Sequence, residues 1–199
     1  MLGNETVMNY KTREEWYLAA AGELRKLFQI HGYELPGFRI GCGWPTGNRQ
    51  KRIGECFPKD ASEDQTYEIF VTPKIKEPIR VLAVIVHELC HAVAGTKAAH
   101  KKPFIDVMKA VGMVKKWTEC NPGEELAEKL KQISEKLGPY PHASLMIKTK
   151  EGKQTTRLIK VQCPECEYIA RVTRKWLDEV GGPLCPVHKV AFQEEKKNE

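Results

Sequence analysis

His87 and His91 stand four residues apart with Glu88 between them, inside the apolar segment PIRVLAVIVHELCHAVAGTK that runs from Pro78 to Lys97. On an α-helix, residues at that spacing share one face, so both imidazoles can address a single cation. Glu88 then sits where it can take a proton from water at that cation. This is the H-E-x-x-H arrangement, whose mechanics are those of a zinc hydrolase. The competing reading makes both histidines core residues, each hydrogen-bonded to a carbonyl. Burial weighs against it, because two imidazoles and a carboxylate inside an apolar helix are costly unless something satisfies them.

A catalytic zinc needs a third protein ligand and keeps one position open. His100, in Ala99-His100-Lys101-Lys102-Pro103-Phe104, is the favoured third ligand: Gly95 gives the helix an end, after which the chain can turn back. The competing source is a downstream helix carrying Glu119, Glu124, Glu125 and Glu128, which on a polar amphipathic helix are more simply a solvated face.

A second ligand set lies near the C-terminus. Cys163-Pro164-Glu165-Cys166 and Cys185-Pro186-Val187-His188 are tight turns, each aiming two side chains at one ion. Four ligands close the coordination sphere, so Cys163, Cys166, Cys185 and His188 predict a structural zinc rather than a reactive one. Such a short segment buries little core, and metal binding can supply on the order of 10 kcal/mol to fold it. Its neighbourhood is basic, with Lys148, Lys150, Lys153, Arg157, Lys160, Arg171, Arg174 and Lys175 interleaved with Tyr168 and Trp176. Arg171, Arg174, Lys175 and Trp176 are the candidates for phosphate contact and base stacking; the plainer reading is a solvated face. Cys90 reads as a small core residue. Cys42 and Cys56 fall in neighbouring strand-like pieces where they can meet, and Cys120 has no assignment.

Elements to position these residues follow from periodicity and caps. Thr12-Arg13-Glu14-Glu15 is a capping box, predicting a helix to His31 that stops at Gly32. Phe38–Cys42, Arg52–Cys56 and Tyr67–Thr72 read as short strands of an antiparallel meander. Pro78 opens the histidine helix, a shorter helix runs from Pro103 to Val111, and Asn121-Pro122-Gly123 caps a third that ends at Leu137. Gly138-Pro139-Tyr140-Pro141 has the composition of a linker. Beyond it, Ser144–Lys150 and Thr155–Gln162 read as a hairpin leading into Cys163. The expected domains are 8–138, 139–193 and a charged tail, 194–199.

Composition sets the outer bounds. The chain has 199 residues, 29% of them charged, and a net charge of +6, compatible with nucleic-acid contact without demanding it. No apolar stretch is long enough to span a bilayer. The N-terminal residues lack a basic start followed by an apolar run. Seven cysteines in that setting suggest a reducing, cytoplasmic compartment.

The order of helix, strands, HELCH helix and His100-x-x-Pro103-Phe104 resembles the SprT-like metallopeptidase family, which includes Spartan, a protease of DNA–protein crosslinks. The resemblance spans Met8 to Met113. Lys101 stands where the family usually has glycine, and members often add a C-terminal zinc ribbon. The resemblance implies an α+β, zincin-like metallopeptidase domain holding Zn²⁺ through His87, His91 and His100, with Glu88 as general base. It implies protein or peptide substrates, DNA-associated ones among them, and DNA as a further partner. In related folds an edge strand pairs with the substrate, and Tyr67–Thr72 is the expected one. Two rival readings remain: a nucleic-acid-binding regulatory factor whose HExxH zinc is not catalytic, and a peptidase acting on a regulator protein.

Overall fold

The computed structural model describes residues 9–47, 52–146 and 158–194. The chain divides into two compact units, Met1–Met146 and Ile147–Glu199. Both are mixed α and β, in keeping with the α+β expectation.

In the first unit, α1 (Arg13–Ile30) starts on the expected capping box. The Thr12 hydroxyl accepts from the Glu15 N–H, and the Glu15 carboxylate accepts from the Thr12 N–H. Caps of this kind contribute about 1 kcal/mol. After Gly32, at φ +79°, come β1 (Phe38–Cys42), β2 (Gly54–Phe57) and β3 (Tyr67–Val71). They do not form a meander. The sheet order is β1-β3-β2, with β1 parallel to β3 and β2 antiparallel to it. The segment between β1 and β2 is long enough to carry the chain past the position that β3 later fills. β3 takes the centre because Tyr67, Ile69 and Val71 alternate as buried residues beneath the helices. Cys42 and Cys56 therefore lie on strands separated by β3, and both are free thiols.

The centre of the unit is α2 (Pro78–Ala94), buried at every residue from Val81 to Cys90. The Glu77 carboxylate caps it by accepting from the Ile79 and Arg80 N–H groups, and Pro78 occupies the first turn, where no N–H is needed. α1, the sheet, α3 (Lys102–Ala110) and α4 (Glu124–Leu137) supply the rest of one core, with Trp16, Phe28, Ile69, Phe104, Met108 and Leu130 fully enclosed.

The expected domain boundary at Gly138 is displaced. Segment 139–146 belongs to the first unit because Tyr140 is buried against Trp16 and Tyr17, and the two tyrosine hydroxyls share a hydrogen bond. Arg13 donates to the Pro141 and Ala143 carbonyls, and the Trp16 indole donates to that of Gly138. The sequence marked a linker; the aromatic in its middle makes it a latch.

The second unit contains β4 (Ile159–Gln162), β5 (Ile169–Val172), α5 (Arg174–Val180) and β6 (Gln193–Glu194), in a sheet of order β5-β4-β6. Helix α5 was not expected, although Thr173 caps it and Gly181 ends it at φ +82°. Glu194, expected to begin the tail, is a strand residue. Part of the expected 144–162 hairpin, the basic residues Lys148, Lys150, Lys153 and Arg157, and tail residues 195–199 lie outside the described residues. Among the described residues no helix is long and apolar enough to cross a membrane.

Tyr140→Ala is expected to lower the unfolding free energy of the protein by about 3 kcal/mol or more, as for other buried aromatic truncations. Denaturant titration measures this, and an effect within about 0.5 kcal/mol of zero would make the segment a mere linker.

Candidate metal centre

The helix period brings His87 and His91 onto one face of α2. Gly95, at φ +78°, ends the helix, and a single 3-10 turn over Thr96–Ala98 leads to Ala99. Ala99 adopts φ +46° and ψ −130°, a conformation that glycine takes easily and alanine does not. That reversal turns His100 back toward the helix. Ring centroids are 5.1 Å apart for His87–His91, 5.5 Å for His87–His100 and 4.9 Å for His91–His100. One ligand nitrogen from each lies within 4.8 Å of the other two. Lys101, at φ −88° and ψ −177°, has extended backbone that any residue can adopt, so the glycine usual in the family is not required there.

Phe104 holds the three rings. It is fully buried, stacks on His91 at 4.1 Å and presents T-shaped or inclined contacts to His87 and His100, each at 5.1 Å. Its position four residues after His100 does not reveal this role, which depends on the fold.

Burial governs the electrostatics. His87 is 4% exposed and Glu88 5%. Desolvation, then the charge of His100, lowers the His87 pKa to about 4; the Glu119 backbone opposes the shift. Even so, His87 Nδ1 has no partner in hydrogen-bond geometry. His91 falls to about 3, by burial and then by its two histidine neighbours, and His100 is also lowered, first by burial. Three neutral imidazoles, each with one nitrogen within 4.8 Å of the others, fit a cation that accepts nitrogen donors. Glu88 is pushed up to about 8 by burial and then by Glu55, against Arg52 and a backbone hydrogen bond from Cys56.

Gly54 explains how Glu88 fits against β2. A Cβ there would stand 2.6 Å from Glu88 Oε1 and 2.5 Å from Val84 Cγ1. The Thr72 N–H donates to the Ile53 carbonyl, which sets the phase of the β2–β3 ladder. Paired residues alternate in an antiparallel ladder, so the backbone groups of Gly54 and Cys56 point away from β3. They face a cleft of about 590 Å³, lined also by Arg52, Glu55, Arg80 and Glu119 together with the three histidines and Glu88.

The alternative third ligands do not join the histidine cluster. Glu119 borders the cleft, but its carboxylate accepts from Asn121 at 3.0 Å and pairs with Lys116 at 3.3 Å. Glu125 pairs with Lys129 and Glu128 with Lys131, both on the exposed face of α4, where Glu124 also lies. His100 is the residue gathered with His87 and His91.

In the second unit, Cys163, Cys166, Cys185 and His188 gather as one group. Cys166 and Cys185 sulfurs are 3.8 Å apart, and His188 Nδ1 lies 3.7 Å from Cys185 and 3.8 Å from Cys163. A tetrahedral cation with metal–sulfur bonds of about 2.3 Å needs a sulfur–sulfur edge of about 3.8 Å. The two half-sites have the same backbone. Glu167 and Lys189, each just after the second ligand, take φ +59° and +57°, and their N–H groups donate to the Cys163 and Cys185 carbonyls. The His188 backbone N–H, more than any other group, lowers the Cys185 thiol to about 6.

The candidate nucleic-acid residues lie on β5 and at the start of α5. Arg171 is exposed on β5 opposite Lys160. Arg174 pairs with Glu194 at 2.7 Å and with Asp178 at 3.6 Å, and Lys175 lies 5.0 Å over the ring of Trp176. Of the other cysteines, Cys42 accepts from Arg13, while burial raises the pKa values of Cys56, Cys90 and Cys120.

Comparison of the chain with family models, with curated proteins and with solved structures returns no match.

Two outcomes follow from this geometry. Unfolded imidazoles bind protons near pH 6.5, whereas folded His87 and His91 resist to about 4 and about 3. The unfolded state thus binds more protons in that window, and the metal-free protein is expected to lose stability as pH falls through it. A His87→Asn/His91→Asn variant should show a shallower slope of denaturation midpoint against pH, and an equal slope would contradict the assignment. Ala99→Gly is expected to raise the unfolding free energy by about 1 kcal/mol by relieving the left-handed backbone; a lower urea midpoint would argue against strain at that residue.

Proposed function

We propose that the chain is a zinc-dependent metallopeptidase of the SprT-like kind, with a zincin-like catalytic unit and a C-terminal zinc ribbon. The observation that carries this reading is the convergence of His87, His91 and His100 beside a buried Glu88, at the foot of an open strand edge. His87, His91 and His100 would hold the catalytic zinc. Bound there, zinc supplies Lewis acidity toward water and a peptide carbonyl. Cys163, Cys166, Cys185 and His188 would hold the structural one.

The remaining work belongs to the protein's own groups. Glu88 accepts the proton of the attacking water and hands it to the leaving amine; general-base help of this kind gives about 10² to 10⁴ in rate. Burial, by keeping the carboxylate's proton affinity high, suits it to both halves of that transfer. The strand edge available to an extended substrate is β2 rather than the expected Tyr67–Thr72, because β3 is paired on both sides. Gly54 and the Cys56 carbonyl offer backbone groups, a mode that reads main chain more than side chains. Protein substrates, including DNA-associated ones, fit that looseness. A role as a nucleic-acid-binding factor has less support, since Arg174 is engaged in ion pairs and Lys175 covers one face of Trp176.

In Glu88→Gln, two zinc ions per chain are expected to remain by elemental analysis, while cleavage of a DNA-crosslinked protein falls at least about 10²-fold. Retention of wild-type cleavage would refute the role given to Glu88.

A further inference from the structure

Two of the carboxylates that border the cleft are held by neighbours. Glu55 is held by Arg52 at 3.0 Å and by the Thr46 hydroxyl at 2.7 Å. Glu119 is held by Lys116 and Asn121. Arg80 is half-buried in the same cleft; among the described residues no carboxylate forms a salt bridge with it, although its charge adds to Asn121 and Lys116 in holding the Glu119 carboxyl below its ordinary value. One guanidinium nitrogen, Nη1, donates to the Cys120 carbonyl at 2.9 Å. A guanidinium has five N–H donors and cannot shed its charge, so most of its binding capacity remains.

Its placement on α2 relates it to the metal ligands. Arg80 precedes His87 by two helical turns and lies on the same face, about 10 Å away along the axis. An extended peptide advances about 3.3 Å per residue, so that distance is about three residues of substrate. Half-buried and with no salt bridge of its own among the described residues, the Arg80 guanidinium favours a planar anion that it can grip through paired N–H groups.

We infer that Arg80 is a specificity-determining residue that recognises a substrate carboxylate about two to four residues from the scissile bond. The inference rests on the metallopeptidase reading. A carboxylate can come from an Asp or Glu side chain or from the peptide's C-terminus, and the same contact serves both. The plainer account makes Arg80 only a clamp on the Cys120 loop. Glutamine can keep such a clamp and lysine can keep the charge, so the two variants separate the roles.

The test measures binding, so that it does not depend on turnover. Zinc-loaded Glu88→Gln protein is titrated with acetylated, amidated alanine-based octapeptides carrying Asp or Asn at each position in turn, and with the same peptides bearing a free C-terminus. Fluorescence anisotropy reads affinity, and thermal melts confirm folding. At one position Asp should bind about tenfold tighter than Asn, as a charge-assisted contact predicts. Adding Arg80→Gln should bring that ratio close to one, while Arg80→Lys should keep most of it. A preference confined to the free C-terminus also supports the inference and identifies the terminal carboxylate as the source. No measurable binding, no carboxylate preference, or a preference that survives Arg80→Gln overturns it. Should the preference hold while wild-type protein cleaves nothing, the metallopeptidase reading fails and the carboxylate site stands.

Discussion

The structure is organised around a desolvation problem on one turn of α2. His87 and Glu88 are almost wholly buried in a helix whose other residues are nearly all apolar. A neutral imidazole there still needs its nitrogens satisfied, and His87 Nδ1 is not. A carboxylate there resists ionisation, and Glu88 is held high for that reason. A cation at the three imidazoles would answer the second difficulty, since it favours nearby negative charge, and would take a lone pair from one nitrogen of each ring. Without one, a core built around this helix carries an uncompensated cost at its centre.

That constraint reaches into neighbouring elements. β2 can approach the helix only because residue 54 lacks a side chain, so a glycine in a strand here serves contact rather than flexibility. Ala99 stores local backbone strain where a reversal delivers the third imidazole, and strain of this kind persists only when its surroundings over-determine it. Phe104 is the part of those surroundings that touches every ring. It belongs to the hydrophobic core and to the site at once, so repacking the core would displace the ligands.

Local chemistry was legible in the sequence, and pairing between distant segments was not. The Thr12 capping box, the Pro78 start, the Gly95 stop and both C-x2 turns depend on residues a few positions apart, and each formed where expected. The order of β1, β2 and β3 depends on which strand buries its alternate residues best, and three short apolar runs do not reveal that ranking. Tyr140 illustrates the same limit. Its flanking Gly and Pro residues signal a linker, but the pocket formed by Trp16 and Tyr17 is far away in sequence and decides the outcome. Helix α5 had both caps in plain view at Thr173 and Gly181. Its seven residues are too few for helical periodicity to stand out between the two ligand turns.

The two ligand clusters differ in ways that follow from their frames. In the second unit the fully buried core is Val161, Cys163, Cys185 and Phe192, so half of what would be hydrophobic core is ligand sulfur. Two matching turns, each with a left-handed residue after its second ligand, aim four donors at one point and leave no donor-free side among them. The imidazole cluster has three donors, the outermost of them, His100, exposed, and it opens on a cleft beside an unpaired strand edge. A set of three donors leaves a coordination position open and a set of four closes it, the distinction that coordination chemistry draws between reactive and structural zinc sites. The difference between the two clusters is therefore one of donor number, and backbone turns set it in both.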